Sequence, residues 1–466
     1  MGLGYSRDMR VNKLADQLPP GMVLCGKDVP ERNWGDASLV PKVEPLALVR
    51  PRTTKDVSLT LKLCNDMGLS VVPQGGMTGL VGGANPDPHS IALSLELMRE
   101  VEEIDPVSST AIVQAGVPLE ALQEAAGNAG CMFGLDLGAR GSCTVGGAIS
   151  TNAGGNRVLR YGMMRELVLG VEAVLPNGTV IEDMNRMIKN NAGYDLKQLF
   201  IGSEGTLGIV TRAVLKLHAA PACHMAALCA LPDEASLFRL LEAARRDLGP
   251  LLSAFEVMWP DFWNCAAKLR ADNQIPLQDG QAFYVLIEIQ GMDAEVDPVR
   301  LRDFLEKCYE DAVLTDGVVS ASQRDLQRFW SIRDMSGELT GLFGPHCAFD
   351  IGVAPAIIPE LVRTIRREME TSFCELAAVF YGHLADGNLH INAWDTRGRT
   401  PPCERFSGAV YEIVVQAGGT ISAEHGIGLL KRRYLSKAKS GQMMDQMRQL
   451  KRVFDPKYIL NPGKVV

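Results

Sequence analysis

"PQGGMTGLVGG", residues 73 to 83, sets five glycines among eleven positions directly after the apolar run "LSVV". Glycine at that density lets successive backbone N–H groups curl into a nest that holds an anion without side-chain charge. Two further loops repeat the pattern: "DLGARGSCTVGGAISTNAGGNRVLRYG" from Asp136 and "NNAGYDLKQLFIGSEGTLGIVT" from Asn190. None contains G-x-G-x-x-G or G-x-x-x-x-G-K-[ST], so a Rossmann dinucleotide site and a P-loop are unsupported. Any one such loop reads as an ordinary turn. Three of them, each following a strand-like run, point to a phosphate-bearing cofactor.

Around these loops, residues 42 to 220 alternate strands and helices. "LALVRP" and "LSVVPQGG" read as strands flanking the helix "TTKDVSLTLKLCNDMG", which a threonine caps and Gly68 ends. "SIALSL", "TAIVQAG", "LVLGVEAVLPNGTVI" and "GIVTRAVLKL" are further strand candidates, with Asn177-Gly178 as a hairpin tip. After "HAAPA" glycine thins out. Amphipathic helices such as "DEASLFRLLEAARRDLG", "DPVRLRDFLEKCYED" and "ELVRTIRREMETSF" then alternate with strands such as "AFYVLIEIQG", which suggests a separate α+β domain. The expected division is an N-terminal segment 1–41, a first domain 42–220, a second 221–420 and a C-terminal helical segment 421–466.

A chain of 466 residues exceeds one ordinary core and suggests two or three domains. Its net charge of −8 offers no basic stripe for nucleic acid. No apolar run reaches the length of a membrane helix, and no apolar signal core opens the sequence, which suggests a cytoplasmic protein. Gly2 and Ser6 match a loose myristoylation pattern that is short enough to arise by chance. The eleven cysteines are scattered without a C-x-x-C pair and read as reduced, mostly buried thiols.

"YGHLADGNLHINAW", residues 381 to 394, carries two of the seven histidines. Asp386-Gly387 is a two-residue hairpin signal, and a tight turn there would set His383 directly opposite His390, with Cβ atoms about 5 Å apart. Two such rings can share a metal ion, and Asn392 falls on the same face. "SAEHGIG" adds Glu424 and His425. Two imidazoles and one carboxylate form a set suited to Zn²⁺ or another divalent ion with a position open to substrate. Taken alone, two histidines in a strand pair are more often structural, and a Glu-His dipeptide carries little.

"QGGMTGLVGG", "GSCTVGGAISTNAGG", "GYDLKQLFIGSEGTLGIVT", "GHLADGNLH", "SAEHGIG" and "LNPGK" follow one another in the order of the FAD-dependent D-2-hydroxyacid dehydrogenases. From about residue 42 onward the chain resembles this group of vanillyl-alcohol-oxidase-type flavoproteins, which includes D-lactate, D-2-hydroxyglutarate and glycolate oxidase members. The resemblance implies an α+β fold: a two-subdomain, PCMH-type FAD-binding domain plus an α+β substrate (cap) domain with an antiparallel sheet. It also implies FAD contacts at Pro73, Gly75, Gly76, Met77, Thr78, Gly79, Asp136, Gly138, Gly141, Ser142, Gly146, Gly147, Thr151, Ala153, Gly154, Gly202, Glu204, Gly205, Ile209 and Asn461. The first loop lacks the histidine through which some relatives tether flavin, so FAD is expected to be non-covalent.

The same resemblance makes His383, His390 and Glu424 metal ligands and His425 the base, and gives Arg333 and Asn392 to the substrate. The implied reaction is oxidation of a D-2-hydroxyacid to the 2-oxoacid. Electrons would pass on to an electron-transfer flavoprotein, a quinone or a cytochrome, and a homodimer is compatible with the family. D-2-hydroxyglutarate enzymes tend to carry a lysine where this chain has Ala348 and a threonine where it has Gly337, so specificity for a second carboxylate is in doubt. His346 is the candidate to compensate. Two other readings compete: a non-catalytic flavin-binding subunit of an oxidase complex, and a metallohydrolase built on the two histidines and Glu424.

Overall fold

A computed structural model describes residues 9–269 and 275–466; Gly2 and Ser6 lie outside the described residues. By its contacts the chain divides into two compact units. The first comprises residues 1–154, 163–219 and 424–466, and the second comprises 155–162 and 220–423.

In the first unit, Ala47–Val49, Ile91–Ser94 and Val71–Gln74 form a parallel trio, and Val23–Leu24 adds to one edge antiparallel. The helix Thr54–Met67 connects Ala47–Val49 to Val71–Gln74, the two outer strands of the trio. Thr53 caps it in a reciprocal box with Asp56, and Gly68 ends it at φ +64°. A second, antiparallel sheet orders Val101–Asp105, Thr110–Gln114, Ile209–Lys216, Val168–Val174 and Val180–Asp183. The last two are joined across Asn177-Gly178, with Gly178 at φ +84° as the hairpin expectation requires. The strands strongly buried on both faces, such as Ala47–Val49 and Ile91–Ser94, read as unbroken aliphatic runs for that reason.

The second unit is a seven-stranded antiparallel sheet. Its order is Asp316–Val319, Cys223–Leu231, Phe283–Gly291, Leu252–Met258, Leu376–His383, Asn388–Asp395 and Cys347–Gly352. One face packs Leu228, Leu286, Met258 and Val379 under the helices Pro260–Leu269 and Gln323–Arg333, through Phe262, Trp263, Phe329 and Trp330. On the opposite face Phe349 meets Phe406 and Tyr411 of the helix Cys403–Gln416 edge to face.

Two expectations are corrected. Cys347 and Cys403 form a disulfide, with Cα atoms 5.3 Å apart. The packing of the Cys403–Gln416 helix on the edge strand brings the two together, which scattered spacing could not reveal.

The second correction is the histidine hairpin. Its connection is a 3-10 turn over Leu384–Asp386 followed by Gly387 at φ +86°, in place of a two-residue turn. Leu384 is fully buried and Ala385 nearly so, so these residues turn into the core instead of extending the ladder. Tyr381 therefore pairs with His390, and His383 pairs on its other side with Glu256. The two imidazoles become diagonal neighbours, with ring centroids 5.5 Å apart.

Candidate active site

A row of polar side chains crosses the otherwise apolar face of the second unit. Because alternate residues of a strand share a face, Glu288, Glu256, His383, His390 and Asp350 line up on five successive strands. All five are buried. A buried carboxylate is tolerated only when paired and hydrogen-bonded, and the partners of each show what it holds.

Glu256 Oε1 lies 2.5 Å from His383 Nδ1, and Oε2 accepts from Arg333 Nε at 2.7 Å. Arg333 ends the helix Gln323–Arg333, is 4% exposed, and sets its guanidinium carbon 4.8 Å over the Tyr381 ring. Burial pushes the Glu256 carboxyl up, but the neighbouring His383 and Arg333 outweigh it and hold the group below the ordinary carboxylate range. For Arg333, burial opposes the charge, yet Glu256 more than offsets it.

Tyr381 stacks on His390, with centroids 5.2 Å apart, and its hydroxyl donates to Asn392 Oδ1 at 2.9 Å. That bond orients the Asn392 amide with its nitrogen side turned away from the tyrosine. Asp350 pairs in register with His390 and accepts from Asn388 Nδ2 (2.8 Å) and Ser422 Oγ (3.1 Å). Glu288 is satisfied by Ser253 Oγ (2.7 Å), Trp330 Nε1 (2.7 Å) and Arg157 Nε (2.9 Å), with His224 Nε2 at 2.8 Å; burial pushes its carboxyl up, but Arg157 and His224 outweigh that and hold it far below the usual range. Arg157 comes from the short 155–162 stretch that belongs by its contacts to this unit.

His346 precedes the edge strand, is buried, and sets Nδ1 3.1 Å from Gly344 O. Ala348 is exposed and opposite Asn392, and a Cβ built on Gly337 would meet nothing within 4 Å. Glu424 and His425 are half-buried and begin the final segment of the first unit, directly after Ala423.

Every residue expected to touch FAD falls in the first unit, where the three glycine loops close on one another. A Cβ on Gly76 would sit 1.9 Å from Ser142 O, one on Gly75 would sit 2.5 Å from Thr144 Oγ1, and one on Gly205 would sit 2.4 Å from Pro73 Cγ. Gly202 N and Glu204 N donate to Ile149 O and Ser150 O, which fastens the third loop to the helix Val145–Thr151. Met77, Glu204 and Asn461 hold positive φ at +60°, +51° and +43° without being glycine. Such strain persists only where surrounding structure enforces it, and it collects at binding sites.

Asn461 donates through Nδ2 to Gly83 O and Glu204 O, while its Oδ1 is buried with no hydrogen-bond partner among the described residues. Close-packed glycine backbone and an orphaned buried acceptor suit a polar group such as a dinucleotide. The Glu204 side chain, though, is spoken for: its oxygens accept from Ile427 N and Gly428 N.

Glu256, Asp350 and Tyr381 escaped the sequence reading. For the two carboxylates the available signal was a single acid inside an apolar strand, as in "SAFEVM" and "CAFDIG", where burial demands a cationic or donor partner.

Comparison with known proteins fits this arrangement. A family model described as "FAD binding domain" matches residues 45–183, and one described as "FAD linked oxidases, C-terminal domain" matches 220–465. A mitochondrial D-2-hydroxyglutarate dehydrogenase of Bos taurus is 38% identical over 97% of this chain and 82% of its own length. A D-2-hydroxyglutarate dehydrogenase of Xanthomonas citri is 36% identical over 90% and 89%. A Schizosaccharomyces pombe protein, provisionally named a mitochondrial D-lactate dehydrogenase, is 38% identical over 90% and 81%. Among solved structures, an alkyldihydroxyacetonephosphate synthase superposes with TM-score 0.77 at 18% identity over 99% of this chain and 87% of that one. p-Cresol methylhydroxylase gives 0.76 at 17%, over 98% and 96%. These two establish the fold alone, the vanillyl-alcohol-oxidase type. Among the described residues no helix is long and apolar enough to cross a membrane. The chain belongs to the FAD-linked oxidase family, as an FAD-dependent oxidoreductase acting on CH–OH donors.

Proposed function

We propose that this enzyme oxidises a D-2-hydroxyacid to the 2-oxoacid, with His383, His390 and Glu424 holding a divalent ion, Zn²⁺ foremost, and His425 as the base. The observation that carries the reading is the pairing of Arg333 and His383 on one buried carboxylate, with His390 beside them on the same face. Ser422 is tied to Asp350, and two peptide steps, at most about 7 Å, separate Ser422 from Glu424. The donor chemistry suits a borderline-soft divalent ion, because two imidazoles and a carboxylate leave a position for substrate oxygen.

Arg333 spends Nε on Glu256 and keeps further donors for a planar carboxylate. The Asn392 amide, fixed by Tyr381, supplies a neutral donor beside it. His425 takes the hydroxyl proton, the general-base role that imidazoles most often fill. The ion, when bound, would lower the hydroxyl pKa. FAD, held non-covalently, would accept the α-hydrogen as hydride at N5. Reoxidation falls to an electron-transfer flavoprotein, a quinone or a cytochrome. Membership in the FAD-linked oxidases sets the hydrolase reading aside.

Ala348 and Gly337 offer no donor to a second carboxylate, which favours a short D-lactate-like acid. The identity to D-2-hydroxyglutarate dehydrogenases supports the longer acid as the second reading, with His346 as its partner. Anaerobic flavin bleaching with D- and L-lactate, malate and 2-hydroxyglutarate, with and without chelator, tests the proposal. D-acids should bleach the flavin and chelation should stop it. Bleaching by none of the D-acids, or bleaching indifferent to metal removal or to His425→Ala, overturns it.

A further inference from the structure

We infer that Glu256 is a positioning residue that serves the proposed metal ligand and the proposed substrate arginine with a single carboxylate; the inference rests on the reading above. Glu256 is 1% exposed and stands in register opposite His383. Both of its oxygens are committed, Oε1 to His383 Nδ1 and Oε2 to Arg333 Nε. An ionised carboxylate only accepts hydrogen bonds. A neutral His383 must therefore carry its proton on Nδ1, which makes Nε2 the ring nitrogen able to act as a ligand. Arg333 points the same way: its terminal nitrogen lies 3.5 Å from Nε2, and a guanidinium offers only a donor, so it faces a lone pair that a bound cation would take in its place.

Another buried acid of the face makes the contrast. Glu288 draws on a serine, an indole, Arg157 and His224, and contacts neither Arg333 nor a histidine of the proposed ligand set. Glu256 contacts both. A carboxylate on the far nitrogen of a ligating histidine fixes its tautomer and raises its basicity, and loss of such partners weakens metal binding by about 10- to 100-fold. Here the same carboxylate also fixes the fork of Arg333, so one substitution should disturb cation and substrate together.

Glu256→Gln keeps the shape but can accept from only one of the two donors. Isothermal titration of metal-stripped protein with Zn²⁺ should show affinity about 10- to 100-fold weaker than wild type. In steady-state kinetics the KM for the D-2-hydroxyacid should rise by more than kcat falls, with flavin content unchanged. Glu256→Asp, which keeps the charge, should recover part of both. Nitrogen-15 NMR of the wild-type protein should show neutral His383 protonated at Nδ1.

Unaltered Zn²⁺ affinity and KM in Glu256→Gln would overturn the inference while leaving the metal reading intact. Wild-type protein that binds no divalent ion would sink the metal reading, and with it the half of this inference that concerns the cation. Should Glu256→Gln fail to fold, Glu256→Asp and the tautomer carry the test. A proton on Nε2 of wild-type His383 overturns the inference without any variant.

Discussion

Glu204 receives the backbone N–H groups of Ile427 and Gly428 on its two oxygens, at 2.7 and 2.8 Å, and so pins the turn that begins with Glu424 and His425. Its own backbone sits at φ +51°. The residue joins the third glycine loop to the segment proposed to carry the base. Burial raises its carboxyl pKa above 4.5, with the two N–H groups opposing. A raised acid pKa means the folded state favours the proton, so this group's contribution is fully present below pH 4.5 and is lost as pH rises through its folded value. Glu204→Gln leaves one N–H facing an amide donor. It should lower stability by about 1–3 kcal/mol in denaturant titration and slow flavin reduction more than it weakens FAD binding.

Arg333→Lys keeps a charge against Glu256 and loses the fork. Removing one charge-assisted hydrogen bond to a substrate carboxylate costs about 1.5–3 kcal/mol, so KM should rise by about 10- to 100-fold. Arg333→Ala removes one of the two hydrogen-bonding partners of the buried Glu256 carboxylate and should also destabilise the protein by about 3–5 kcal/mol. Steady-state kinetics with melting curves separates the two effects.

Much of this architecture is legible from residue order. Thr53, Asp56 and Gly68 announce both ends of one helix, and Asn177-Gly178 announces one hairpin, because capping and left-handed turns are local chemistry. The glycine loops are likewise local, although what they pack against is not. The histidine hairpin shows where local reading stops. Asp386-Gly387 favours a two-residue turn, but burial of Leu384 and Ala385 lengthens it and shifts the register. The rings still meet because Tyr381 and His383 share a face. Glu256 and Arg333, 77 residues apart, could be joined only by folding.

Gly76 and Gly138 separate packing from cofactor binding. Alanine at 76 would drive Cβ into Ser142 O, so Gly76→Ala should force the first two loops apart, cost about 1–3 kcal/mol and empty the flavin site. Alanine at 138 meets nothing within 4 Å. Gly138→Ala should leave the melting temperature of the apoprotein unchanged and weaken FAD binding only if flavin occupies that space. Flavin fluorescence titration reads the difference.

Lys464 is buried, with Nζ donating to Asn85 O at 2.8 Å, and burial lowers its pKa from 10.5 to about 8. The unfolded chain holds this proton more tightly than the folded protein does, so stability should rise as pH climbs from about 8 towards 10.5. The gain is at most about 3 kcal/mol. Lys464→Met should flatten that rise in denaturant titrations across the window. A slope that persists in the variant would assign it to other groups.

Ala348 decides between the two substrate readings. It lies exposed on the edge strand opposite Asn392, two residues from Asp350 on the same face, so a longer side chain there meets no steric barrier from a buried neighbourhood. Ala348→Lys places a cation where the wild-type chain has none, close to the amide proposed to touch substrate. The ratio of kcat/KM for D-2-hydroxyglutarate over D-lactate should rise by about tenfold, the value of one exposed-to-partly-buried ion pair of about 1.4 kcal/mol. Most of the change should lie in KM and should fade at high salt, since the new attraction is electrostatic and screened. A ratio that does not move would place the distal end of the substrate away from this strand, and His346 would then be the side chain to replace.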